Sequence, residues 1–159
     1  MPDRRQFLRS ALVPGVAAGV LVAEGSPAPA KDETPAQFSG KVIPLKDVLE
    51  RAGSKLDADA EPFWLALMTA EGKLYPVIKD DGGRRFFKDE KLHNRKVRIT
   101  GKLVAGSDLL QVLSMVGLKN GKAFDLYYWC DICSIKRYEK MQCECCGGPM
   151  ELREKPLDK

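Results

Sequence analysis

Between residues 130 and 148 the chain reads CDICSIKRYEKMQCECCGG, and this stretch holds all five cysteines of a 159-residue sequence. Two CxxC pairs, Cys130/Cys133 and Cys143/Cys146, are separated by nine residues. That spacing lets two tight turns aim four thiolates at one tetrahedral centre. Gly147 and Gly148 follow the second pair, and glycine permits the positive φ and close backbone approach that such a knuckle needs.

The segment resembles a zinc ribbon, which implies Cys130, Cys133, Cys143 and Cys146 as the four ligands of a structural zinc. Two CxxC knuckles also hold iron, as in rubredoxin-like electron carriers, so iron stays open as an alternative. Lys136, Arg137, Lys140, Arg153 and Lys155 lie in or just after the cluster, and nearby cations favour thiolate over thiol. Cys145 is surplus to the pattern. It is a spectator, an alternative ligand through Cys143-x-Cys145, or part of a thiolate-rich copper site with Met115, Met141 or Met150. Disulfides suit an oxidising compartment, but five is an odd number and a bridge between adjacent Cys145 and Cys146 would be strained. A redox dithiol at Cys130-Asp131-Ile132-Cys133 needs a strand-to-helix context, and an aromatic strand end entering a basic loop does not supply one.

At the other end, Arg4, Arg5, Phe7, Leu8 and Arg9 precede an uncharged run from Ala11 to Ala23. This resembles a bacterial twin-arginine (Tat) signal, with Asp3 standing where Ser or Thr is usual. The run has 13 residues, including Pro14, Gly15 and Gly19. A bilayer span takes about 20, so the run is read as a signal core rather than a transmembrane helix. Ala28-Pro29-Ala30 offers small residues for cleavage after Ala30. The resemblance implies a partner during export, the Tat translocase, a periplasmic or otherwise exported mature chain without a transmembrane segment, and folding before export. An envelope partner is expected but not identified.

The remaining residues, 31–159, suffice for one modest core. Residues 1–30 carry three Arg against Asp3 and Glu24, so their removal takes the formal charge from +4 to +3. A charge that small indicates no particular partner. Arg84 to Lys102 is more basic, with eight Lys/Arg against Asp89 and Glu90. In an exported chain nucleic acid is an unlikely partner for it, and solvated outer faces of strands are the simpler account.

Residues 31–37 read as a polar tether. Phe38–Leu45 is expected as a strand, Leu45–Glu50 as a two-turn helix stopping at Gly53, and residues 62–70 and 73–79 as a hairpin turning at Glu71-Gly72. Asp80-Asp81-Gly82-Gly83 is the clearest turn. A short helical piece over Phe86–His93 leads to strands at 95–105, 108–118 and 123–129, the last two joined by Asn120-Gly121. Val97, Ile99, Gly101 and Leu103 alternate with Arg98, Thr100 and Lys102, so one face is core. The fold class is therefore mainly β: a small antiparallel barrel of about six strands with one or two short helices. Residues 38–118 are loosely similar to an OB-fold. The domain reading is a signal at 1–30, a tether at 31–37, an OB-like barrel at 38–126 and a ribbon-like module at 127–155.

Tyr127-Tyr128-Trp129 abuts the first knuckle, either as a stacking surface or as the packing that fixes the ribbon to the barrel. Phe63 and Trp64 are expected in the core, and His93, the single histidine, at the surface. Asp80/Asp81 and Asp57/Asp59 sit in turn or loop sequence and make no convincing acid/base pair. No phosphate loop, nucleotide fingerprint or haem-attachment motif occurs, so the sequence points away from an enzyme and towards a binding module.

Overall fold

The computed structural model describes residues 34–157. The twin-arginine residues Arg4, Arg5, Phe7 and Leu8, the cleavage site after Ala30, and residues 31–33 of the tether lie outside the described residues, while Ala36 and Gln37 of the tether already belong to the first strand. Eight antiparallel strands form one sheet: β1 (Ala36–Pro44), β2 (Leu65–Met68), β3 (Leu74–Pro76), β4 (Lys96–Leu103), β5 (Leu110–Lys119), β6 (Lys122–Cys130), β7 (Ile135–Arg137) and β8 (Glu151–Pro156). Two short helices, α1 (Leu45–Arg51) and α2 (Arg84–Lys88), and two single 3-10 turns complete it. The strand order is β3-β2-β1-β4-β5-β6-β7, with β8 paired to β6. Among the described residues no helix is long and apolar enough to cross a membrane.

The sheet is mainly β as the sequence implies, but it is open, which corrects the barrel expectation. Among the described residues a single parallel bridge, Val77–Leu110, links the β3 end of the path to β5. The reason is local. Immediately after Ile78, whose N–H bonds to the Leu110 carbonyl at 3.0 Å, the Asp80–Gly83 turn carries the chain into α2, so β3 cannot run along β5. Two strands beyond the expected six, β7 and β8, fall inside and after the cysteine cluster.

The alternation read from β4 is real: Val97 and Ile99 are fully buried while Lys96 and Arg98 are exposed. With Val42, Leu67, Phe86, Leu92, Leu110 and Leu126 they make the main core. A second, smaller cluster has Tyr128, Cys130, Cys143 and Met150 buried, with Cys133, Ile135, Met141 and Leu152 packed on it. β6 joins the two. Its inward positions, at period two, are Leu126 in the first cluster and Tyr128 and Cys130 in the second.

Three sequence expectations are corrected. Phe63 is 60% exposed and Trp64 47%, so neither is core. They occupy a 3-10 turn (Glu61–Phe63) and its cap, one step before the buried run Leu65-Ala66-Leu67 begins. His93 is half-buried, not surface, and its Nε2–H donates to the Phe86 carbonyl at 2.7 Å. The basic segment is not wholly a solvated face either, since Arg85 and Phe86 are buried on α2.

Candidate metal centre

The two CxxC pairs fold into knuckles of the same construction. In the first, Ser134 N–H bonds the Cys130 carbonyl at 2.8 Å and Ser134 has φ 53°. In the second, Gly147 N–H bonds the Cys143 carbonyl at 2.8 Å and Gly147 has φ 69°. The residue after each second cysteine therefore turns left-handed, a conformation glycine adopts freely and serine at some cost. The second knuckle is closed again by Cys143 N–H on the Gly148 carbonyl, 2.9 Å, and by the Gln142–Pro149 bridge.

Backbone N–H groups point at the leading sulfur of each pair. Cys130 Sγ accepts from Cys133 and Ile132, and Cys143 Sγ from Cys146 and Cys145. At Cys143 these bonds, Cys146 N–H first, draw the thiol down to about 7 from an ordinary 9.0. This is the chemistry a thiolate ligand needs, supplied by the chain's own amides.

The knuckles meet so that the sulfurs of Cys130, Cys133, Cys143 and Cys146 all lie within 4.8 Å of one another. Cys130 Sγ and Cys146 Sγ are 3.6 Å apart. A tetrahedron with Zn–S near 2.3 Å has edges of about 3.8 Å, so the sulfur cage fits a tetrathiolate metal with a contraction of less than about 1 Å along its longest edge. All five cysteines are unbridged. The group converges on one point rather than on two separate pairs, as a disulfide pairing would require. This four-cysteine group can hold a metal ion.

Burial is graded across the site. Cys130 and Cys143 are buried, Cys133 is half-buried and Cys146 is exposed. Cys145 stands outside the group of four and is exposed. Its thiol nevertheless neighbours Cys133, and that contact comes first, ahead of burial, among the causes that push the Cys133 thiol up. Of the three methionines, Met115 belongs to the main core, while Met150 and Met141 pack on the sulfur cluster.

Four of the five cations expected to offset thiolate charge are engaged elsewhere. Lys136 pairs with Asp125 at 2.5 Å, Arg153 with Asp131 at 2.5 Å, Arg137 with Glu144, and Lys140 approaches Asp89 at 3.4 Å. They brace the knuckles and the intervening loop against the sheet. Asp131 and Glu144 lie within the cysteine segment itself, while Asp125 on β6 and Asp89 after α2 reach the cations from outside it, and sequence reasoning paired none of the four with its cation.

Tyr128 does fix the cluster to the rest of the sheet. It is 1% exposed, and its hydroxyl donates to Asp89 Oδ2 at 2.8 Å. Tyr127 and Trp129 lie on the opposite side of β6, edge to face with ring centroids 6.4 Å apart, with Lys136 over the first and Arg153 over the second. Asp89 was legible only as one acid in a basic run. Compared with family models, curated proteins and solved structures, the chain matches none.

Proposed function

We propose that this is an exported metal-binding protein in which a four-cysteine ribbon holds a structural zinc and the β module to which it is fixed serves as a binding or assembly unit in the cell envelope. The observation that carries the metal reading is the pair of matching knuckles with four sulfurs within 4.8 Å. Four thiolates fill a tetrahedral shell and leave no open position for a substrate, so the role is structural and not catalytic. Half of the buried residues around the site are themselves cysteines. Apolar burial there is too small to order the loop, and metal binding supplies that stability. The twin-arginine pattern at Arg4 and Arg5 supports export of the folded, loaded protein.

The test is elemental analysis with a visible spectrum on the full chain expressed behind its own N-terminus and recovered from the exported fraction. One colourless zinc per chain, lost in Cys143→Ser and kept in Cys145→Ser, is the expected result. Iron with visible absorption would replace the zinc reading with an electron carrier, and absence of any metal would end both. Replacing Arg4 and Arg5 together by lysine is expected to retain the chain in the cytoplasm. Unchanged release on osmotic shock would remove the export reading without touching the metal.

A further inference from the structure

Arg85 is 7% exposed, yet its guanidinium has no carboxylate partner among the described residues. Its Nη2 donates to the Leu126 carbonyl at 2.6 Å, its buried Nε has no hydrogen-bond partner among the described residues, and the Tyr138 ring lies over it with 5.6 Å from Cζ to centroid. A buried arginine is ordinarily paired, because removing its charge from water is costly unless an anion compensates.

Arg85 lines a groove of about 520 Å3, within the roughly 300–1,000 Å3 typical of small-molecule sites. One side is the Asp81–Gly82 turn leading into α2, and the opposite side is the segment Arg137–Glu144. β5 lies between them, where its register against β4 shifts and leaves Leu113 unpaired. Such a bulge re-aims a side chain, and Leu113 stands 49% exposed in the groove. Gly82 is held against this bulge, since a Cβ there would lie 1.7 Å from the Val112 carbonyl oxygen.

The charge pattern is specific. Every carboxylate lining the groove already has a cation: Asp81 has Arg84, Glu139 has Arg84 and Lys88, Asp125 has Lys136, and Glu144 has Arg137. Arg85 is the cation left over. Its surroundings are otherwise apolar or aromatic, from Leu113, Met115, Met141 and Tyr138.

We infer that this groove binds a small molecule carrying one carboxylate on an apolar or aromatic body, with the carboxylate on the Arg85 guanidinium and the body between Leu113, Met141 and Tyr138. A single negative charge matches the single unpaired cation. A phosphate dianion would bring a second charge against the four carboxylates already present. Guanidinium and carboxylate are also matched in planar, two-point geometry. The inference does not depend on export or on which metal is bound, although the segment carrying Tyr138 and Met141 lies between the two cysteine pairs.

The experiment is calorimetric and NMR titration of the full, metal-replete protein with benzoate and hexanoate, alongside benzamide and inorganic phosphate. Both carboxylates are expected to bind saturably, to shift resonances of Tyr138 and Leu113, and to raise Tm with concentration. Benzamide and phosphate are expected not to bind at the same concentrations. Arg85→Met should weaken benzoate by at least about tenfold, since even one charge-assisted hydrogen bond is worth that much. If that variant does not fold, Leu113→Trp, at an exposed position that narrows the groove without touching Arg85, should abolish binding with Tm unchanged. No saturable carboxylate binding, equal binding of benzamide, tighter binding of phosphate, or wild-type affinity in either variant would overturn the proposal.

Discussion

The Tyr128 hydroxyl and the Asp89 carboxylate, 2.8 Å apart and 39 residues apart in sequence, form a buried polar link between β6, which ends at Cys130, and the turn that follows α2. Asp89 also accepts from Lys91 N–H at 3.2 Å and receives Lys140 from the loop between the cysteine pairs at 3.4 Å. Removing the hydroxyl leaves a carboxylate that is 4% exposed short of a donor. Tyr128→Phe is therefore expected to cost about 1–3 kcal/mol in denaturant unfolding, with near-normal metal content.

The same link sets an acid limit. Burial alone would push the Asp89 carboxyl up, but Tyr128, Lys91 N–H and Lys140 together hold it below its ordinary 3.8. A carboxyl depressed in the folded state contributes stability that is present above its unfolded pKa and lost as pH falls through the folded one. Stability from this group should be constant from pH 7 to about 5 and decline below about 4. Asp89→Asn should be less stable than wild type at neutral pH, with the gap narrowing as pH falls. A constant difference between the two proteins from pH 6 to pH 3 would contradict this.

Two phenylalanines separate core from surface. Phe86, fully buried on α2, should cost about 3–5 kcal/mol when changed to alanine. Phe63, 60% exposed and in contact with the Lys79 ammonium at 5.0 Å, should tolerate serine within about 0.5 kcal/mol. Equal losses measured by urea unfolding would contradict the placement of Phe63 outside the core.

Glycine substitutions should divide by mechanism. At Gly40 a Cβ would lie 2.2 Å from the Met68 carbonyl oxygen, a backbone atom of the paired strand β2. Gly40→Ala should therefore cost more than about 2 kcal/mol, because the strands must part. Gly147 has φ 69° and open space around it. Gly147→Ala should cost about 1–2 kcal/mol, the left-handed strain of one residue, and should be read in Tm together with metal retention.

Removing the metal should act locally. With a strong chelator, hydrogen-exchange protection is expected to fall at Ser134, Cys143 and Gly147, whose amides close the knuckles. Val97, Ile99 and Leu110, in the main core, should keep theirs. Loss of protection across β1, β4 and β5 at the same chelator concentration would show that the sheet has no stability apart from the site.

Much of this architecture was legible beforehand. The period-two pattern of Val97, Ile99, Gly101 and Leu103 and the Asn120-Gly121 turn located β4, β5 and β6, because burial of one face and positive φ at a tight turn are local demands on residue type. Asn120 and Gly121 do take φ 51° and 75°. The CxxC spacing likewise located the four sulfurs, since a knuckle is built within six residues. Phe63 and Trp64 misled because hydrophobicity of a run does not say where burial begins, and the 3-10 turn at Glu61–Phe63 delays it to Leu65.

The sequence by itself determined the mainly β class, the turns and the identity of the sulfur group, all of which follow from short-range spacing and backbone freedom. Tertiary structure alone decided that the sheet stays open, that the cations around the cysteines are held by Asp125, Asp131, Glu144 and Asp89, and that Arg85 is buried without an anion. Those outcomes depend on which side chains meet in space, from Arg137 and Glu144, 7 residues apart, to Lys140 and Asp89, 51 apart. Electrostatic pairing and desolvation are set by distance in space, which spacing along the chain does not encode.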